Sequence, residues 1–312
     1  MESLASFSLV AVYSAMAVYT VAFVFYTLDL AKRSAAKPAP VAVGAGAAAS
    51  SEIESEEPTA KSAPGSGYQR IALSLLSVGW VIHVAATILR GVAASRVPWA
   101  NMFEFGLTAT ALIVGVYLGS LFWRDLGYLG AYVSGFNLLA LGIVTVNFYV
   151  DVVPLPPALQ SAWLVIHVFV ASLATAFFGL AAGLSIFQLV RARYDARKLA
   201  TPRLLRTLPN QTVLESLAYR LNVMGFVLWT FTLVAGAIWA ERAWGRYWGW
   251  DVKEVWTFII WVLFAGYIHA RSTRGWRGNR SAWLGLAGFA AVIFNYTVVN
   301  IFFTGLHSYS GL

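Results

Sequence analysis

The residues best suited to chemistry are four histidines, His83, His167, His269 and His307, and one aromatic and charged run, Trp244-Gly-Arg-Tyr-Trp-Gly-Trp-Asp-Val-Lys-Glu-Val-Trp256. Every histidine lies in or beside a long apolar stretch, where an ionisable side chain is costly and marks a candidate functional site. Neutral imidazoles brought together from distant parts of a chain suit axial ligation of a haem iron or another soft-to-borderline metal. The alternative for each is a hydrogen-bonded contact between helices. The chain has no cysteine. That excludes a disulfide, a thiolate metal site, a thiol nucleophile and a thioether link between haem and this chain.

Seven of the thirteen tryptophans fall between Trp229 and Trp261. An aromatic belt scatters tryptophans among helix ends. Here Trp244, Trp248 and Trp250 crowd one loop beside Gly245 and Gly249. The loop is therefore expected to form a flat apolar shelf suited to a porphyrin face. Arg242, Arg246 and Lys253 are placed to meet propionates. Asp251 and Glu254 are expected to orient those cations, cap the next helix or hold a ligand.

The elements that position these residues are transmembrane helices. Of 312 residues, 59% are hydrophobic and 12% charged, and the mean hydropathy is +0.68. A soluble domain carries roughly 25% charged residues, so a soluble globule, a disordered tail and a secreted disulfide scaffold are excluded. Eight stretches reach the ~20 apolar residues a bilayer needs: Leu4–Leu30, Ile71–Arg90, Met102–Phe122, Tyr128–Val150, Trp163–Val190, Leu217–Trp239, Val252–Ile268 and Trp283–Phe303. The expected fold is all-α and polytopic. The net charge of +8 is topological, not a nucleic-acid footprint. Arg191, Arg193, Arg197, Lys198, Arg203 and Arg206, and the four arginines of 271–280, mark cytoplasmic loops. With eight spans both termini then face the outer, non-cytoplasmic side. Lys32 and Arg33 follow the first span, which argues against a cleaved signal peptide. Residues 34–66 are rich in Ala, Pro, Ser, Gly and Glu. They place a disordered cytoplasmic linker at 31–69, between an N-terminal helix at 1–30 and a main domain at 70–312.

On this topology His167 and His307 reach the same outer leaflet. Ala171 and Ala174 follow His167 at i+4 and i+7, a face that admits a flat ligand. Tyr296, Asn300, Thr304 and His307 form a polar stripe at helical spacing, which either supports the ligand or packs on a neighbouring helix. His269 lies near the cytoplasmic end of span 7, with Ala265 and Gly266 leaving room beside it. His83 sits ~18 Å from the inner end of span 2 at 1.5 Å per residue. Its depth does not match His269, so it is read as a packing or tuning residue. Arg90 and Glu104 are expected to form an ion pair bracing the loop between them, with Asn101 satisfying its backbone, or to contact the ligand directly.

The tryptophan run resembles the WWD signature of haem-handling proteins of cytochrome c maturation. Its flanks, Trp239-Ala-Glu-Arg-Ala-Trp-Gly-Arg-Tyr-Trp-Gly-Trp-Asp-Val-Lys-Glu254, with Tyr267-Ile-His-Ala-Arg271, Asn300, Gly305-Leu-His-Ser-Tyr309, Arg90 and Pro98-Trp-Ala-Asn-Met-Phe-Glu104, are similar to the CcsA/ResC family of System II. The resemblance covers roughly 70–312. Val252 departs from it, standing where proline is usual, and Val299 where glycine is common. The resemblance implies haem transport and covalent haem attachment to an apocytochrome c bearing Cys-x-x-Cys-His, as a subunit of a cytochrome c synthase complex with a CcsB/ResB-like partner. Haem export alone is the alternative. It implies non-covalent haem b, ligated by His167 and His307 on the outer face and by His269 at a second site within the membrane, where the companion supplies the other ligand. It also implies a WWD loop at 240–256. The cofactor-binding set is thus His167, His307, His269, Trp244, Trp248, Trp250, Asp251, Tyr247 and Arg246. No catalytic side chain is expected, and thiol reduction falls to another protein. The expected setting is a bacterial plasma membrane, with the loop on the outer face.

Overall fold

The structure is a computed structural model that describes residues 2–35, 66–152, 160–196, 208–273 and 275–307. The expected linker lies largely outside them, as do Arg197, Lys198, Arg203, Arg206 and Arg274. The described elements are α1 (Glu2–Ala35), α2 (Gly67–Ala94), α3 (Met102–Ser120), a short turn into α4 (Gly130–Phe148), α5 (Ala162–Ala196), α6 (Gln211–Trp244), α7 (Val252–Thr273), α8 (Asn279–Tyr296) and α9 (Val298–Phe302). Eight segments are long and apolar enough to cross a membrane, the last running through α8 and α9. They coincide with the eight apolar stretches, because span length is a local property of the chain.

The strongest pairings are α1 with α2 and α5 with α6. Helix α3 is the most buried span and packs on both α4 and α5. Its run Gly106, Thr108, Ala109, Thr110 and Ala111 explains this, since small side chains let helix backbones approach in lipid. Helix α1 docks directly on α2: Ser8 Oγ donates to Ala86 O at 2.8 Å, and Tyr19 lies flush against Gly79. Buried Asp29 near the end of α1 takes the Arg33 guanidinium at 2.8 Å and the hydroxyl of Ser66, the residue capping α2.

One clamp positions the functional end, and a second fixes the opposite end. Fully buried Glu104 accepts from Arg90 Nε at 3.0 Å, from Arg96 Nη1 at 2.6 Å and from the Ala100 N–H at 2.9 Å. Asn101 caps α3 through the Glu104 N–H. Arg90 also donates to Val150 O at 2.7 Å, which ties the end of α4 to the same loop. The ion pair expected between Arg90 and Glu104 is thus a three-member network, with Arg96 as its unanticipated second cation. At the opposite end of the bundle, Glu215 on α6 holds Arg271 at 3.3 Å and the Gly278 N–H at 2.9 Å, fixing the turn from α7 to α8.

His83 is wholly buried between helices, with Nδ1 3.3 Å from Tyr19 Oη. This is a packing contact, away from the cavity described next.

Candidate functional site

Five separate parts of the chain meet at one end of the bundle around a largely apolar cavity of ≈ 260 Å³. Helix α5 contributes His167, α6 contributes Trp239, the loop before α3 contributes Trp99, the first turn of α7 contributes Lys253, and the segment after α9 contributes His307. The cavity then runs inward between α3, α4, α5, α6 and α8, past Gly106, Ile113, Ala140, Ala171 and Phe289.

Each histidine is held through one ring nitrogen. His167 Nδ1 lies 3.0 Å from the Thr232 carbonyl. A carbonyl accepts only, so Nδ1 carries the proton and donates. Helix α6 has Gly236 where His167 approaches, and a Cβ there would stand 2.8 Å from His167 Cε1. His307 Nδ1 lies 3.0 Å from Asp251 Oδ2, and the His307 backbone N–H donates to the same oxygen at 3.2 Å. Hydrogen bonding from His307 is the main cause that holds the Asp251 carboxyl down at about 2, so Asp251 is anionic at any physiological pH. Gly305 permits this approach, since a Cβ there would stand 2.6 Å from Asp251 Oδ1. Both rings therefore keep Nε2 clear of the tethering bond. A metal-ligating histidine has this arrangement, its second nitrogen donating to a carbonyl or carboxylate that sets tautomer and orientation.

Trp239 is the common neighbour of the two imidazoles. It is almost fully buried, stacks on His167 at 5.9 Å between ring centres and meets His307 edge-on at 5.5 Å. Trp244 packs on both Trp239 and His307, each at 4.8 Å. Trp99 donates from Nε1 to Thr108 Oγ1 at 2.9 Å and stacks on Phe169.

The tryptophan loop is not the single shelf expected from sequence. Trp248 and Tyr247 line the cavity, whereas Trp244 supports His307 from beside it. Trp250 points away and is 75% exposed, touching Trp248 edge-on. The cause is backbone conformation. Trp250 has φ of 60°, a left-handed value unusual for a bulky residue. The surroundings impose it: Glu254 Oε2 accepts both the Gly249 N–H at 2.8 Å and the Asp251 N–H at 3.1 Å, bracketing Trp250 from both sides. Asp251 and Glu254 also form a capping box on α7, which explains the Asp-Val-Lys-Glu spacing. Arg246 folds over Gly249 and is exposed.

Lys253 differs from its expected role at propionates. Its Nζ donates to Asn295 O at 2.9 Å and Asn300 Oδ1 at 2.6 Å, so it pins the junction where α8 breaks at Thr297 and restarts as α9. The expected polar stripe is consequently interrupted. Tyr296 Oη donates to Met102 O at 2.7 Å, Asn300 serves Lys253, and Thr304 is exposed.

His269 is not part of this constellation. It lies on the exposed face of α7 near its far end, on one side with Phe258, Val262 and Gly266, and a Cβ at Gly266 would meet nothing within 4 Å.

Sequence reasoning passed over Trp239, Trp99 and Gly236 as site residues. The first two stood inside motifs already singled out; the third had no local signal. Substituting Gly236 by alanine is expected to push His167 off the Thr232 carbonyl and cost about 1–3 kcal/mol, as overpacking does. Thermal unfolding of the variant beside the parent chain measures it, and an unchanged midpoint would show that this contact relaxes freely.

A family profile described as cytochrome C assembly protein matches residues 99–307. Among curated proteins, the chain is 36% identical over 265 residues to the cytochrome c biogenesis protein CcsA of Guillardia theta, covering 79% of this chain and 86% of that protein. It is 33% identical over 304 residues to the CcsA of Synechococcus elongatus, covering 81% and 89%. Among solved structures, a cytochrome c haem lyase, CcmF, superposes with a TM-score of 0.61 at 16% identity, over 94% of this chain and 46% of that one. That likeness concerns the fold.

Proposed function

The chain belongs to the cytochrome c assembly protein family, in its CcsA branch, and on that premise we propose that it holds haem b non-covalently between His167 and His307 and presents it to an apocytochrome c. It works as a multi-pass membrane protein of cytochrome c biogenesis. The observation that carries the haem reading is the matched state of the two imidazoles, which share one cavity, with Nδ1 of each tied to an oxygen and Nε2 left for iron. The donor set fits the group: two neutral nitrogens, an apolar wall and flanking indoles suit a flat, largely apolar macrocycle.

The roles of the residues follow from their geometry. His167 and His307 would hold the iron through their Nε2 atoms, and two such nitrogen ligands would leave little access for oxygen. The Thr232 carbonyl and the Asp251 carboxylate orient the two rings and fix which ring nitrogen is left for the ligand. Trp239, packed against both rings, and Trp248 and Tyr247, on the loop, would wall the ligand. When bound, haem supplies the vinyl groups to which the two thiols of a Cys-x-x-Cys-His segment add. The chain's contribution is positioning. In this reading a CcsB/ResB-like membrane protein completes the assembly along the exposed α7 face that carries His269, in the manner of System II. The membrane is the bacterial plasma membrane, with the tryptophan loop on its outer side.

The test is an absorption spectrum of the detergent-purified chain, co-expressed with such a partner. A six-coordinate, low-spin b-type spectrum is expected. Absence of haem from an intact complex would overturn the reading and leave the tryptophan loop as an interfacial belt. Haem export without attachment is the second reading. Holocytochrome formation in a host lacking its own maturation pathway, given only this chain and its partner, separates the two.

A further inference from the structure

We propose that the pocket at the opposite end of the bundle, between α1, α2 and the turn after α3, is a binding site for the headgroup of an aminophospholipid. The pocket measures ≈ 510 Å³ and is lined by Arg70, Arg124, Asp125, Tyr117 and Tyr26. It is separate from the histidine cavity, since it lies at the C-terminal end of α3 while that cavity opens at the N-terminal end.

Three features point to this ligand. The first is a buried polar pair: Tyr117 is wholly buried with its hydroxyl beside that of Tyr26, and two phenols that share one hydrogen bond still leave a second hydrogen to donate. Such a group in a native structure calls for a missing partner. The second is charge. Among the described residues, neither Arg70 nor Arg124 makes an ion pair. Asp125 uses one carboxylate oxygen for the Gly127 N–H at 3.2 Å and, being exposed, can offer the other to a ligand. Two guanidiniums suit a phosphodiester, and the free carboxylate oxygen suits a primary ammonium. Together they match the zwitterion of phosphoethanolamine. The third is location. Phe122 and Trp123, 86% and 79% exposed, line the same pocket immediately past the end of a membrane-spanning helix. Large aromatic side chains in that position sit at headgroup level, which favours a lipid over a soluble phosphoester.

The site also explains a local arrangement. Gln69 reaches over Gly127 and accepts from Arg33 Nη2 at 2.5 Å, so α1, α2 and the turn into α4 share one wall. A lipid headgroup seated there joins the Arg70 end of α2 to the Arg124 turn.

Native mass spectrometry of the full chain in detergent tests the proposal. Phosphatidylethanolamine, phosphatidylglycerol and phosphatidylcholine of one acyl composition are titrated in separately. Phosphatidylethanolamine is expected to bind about tenfold more tightly than phosphatidylcholine, whose quaternary ammonium cannot donate to Asp125, a difference in line with a hydrogen bond to a charged group. The double variant Arg70→Gln, Arg124→Gln is expected to bind phosphatidylethanolamine about tenfold more weakly. Asp125→Asn is expected to bind phosphatidylethanolamine and phosphatidylglycerol alike, and this exposed single change keeps the test alive if the double variant does not fold. Equal binding of all three lipids by the parent chain would overturn the proposal. So would unchanged selectivity in Asp125→Asn, or displacement of the lipid by an equal concentration of glycerophosphoethanolamine, which would mark a soluble ligand.

Discussion

The His307→Ala chain, purified with its partner, is expected to lose its low-spin haem and to regain it when imidazole is added. Removing the ring deletes one axial nitrogen and leaves a space of imidazole size beside Trp239 and Trp244. It also leaves Asp251 Oδ2 ready to accept a hydrogen bond from an exogenous ring, since only the His307 backbone N–H still reaches that oxygen. His167→Ala is expected to behave likewise, with the Thr232 carbonyl as the waiting acceptor. Asp251→Asn keeps an acceptor but loses the charge, so haem retention is expected to fall about 10- to 100-fold, as for other partners of a metal-bound histidine. Absorption spectra with and without imidazole measure all three. Undiminished low-spin haem in either histidine variant, with no imidazole present, would show that the ligand assignment is wrong.

The largest loss of stability is expected from Glu104→Ala. Its carboxylate pairs with two guanidiniums and accepts the Ala100 N–H. Truncation strands both cations inside the bundle, and breaking a buried pair from one side costs about 3–5 kcal/mol. Glu104→Gln keeps an acceptor for one guanidinium and is expected to lose less. The loop from Arg96 to Asn101 carries Trp99 into the cavity wall, so haem retention should fall together with stability. His307→Ala should instead lose haem with a much smaller fall in the unfolding midpoint of the apo chain. Thermal unfolding followed by tryptophan fluorescence distinguishes the two patterns. A Glu104→Ala midpoint equal to that of the parent would mean that the clamp is replaced by water and carries no structural weight.

The sequence by itself determined the number and approximate position of the spans, because the length and apolarity of a helix are set within the segment that forms it. It also determined which residues had to be explained: an ionisable group in an apolar run stands out without any knowledge of its neighbours, and so do three tryptophans in one short loop. The capping box of Asp251 and Glu254 was visible in part, since its spacing is local. What each residue touches was decided only by tertiary structure. Asp251 became the partner of His307 because the chain returns after α9 and Gly305 admits the contact, a meeting of residues 56 positions apart. Lys253 turned from propionates to the α8–α9 break because that break exposes a carbonyl within its reach. Trp250 left the cavity because two N–H bonds to Glu254 force its backbone into the left-handed region. Trp239 came to touch both His167 and His307 through the packing of α5 on α6 and the return of the chain after α9. The direction of a side chain depends on packing and on backbone angles imposed from elsewhere in the chain, and no local pattern of residue types encodes either.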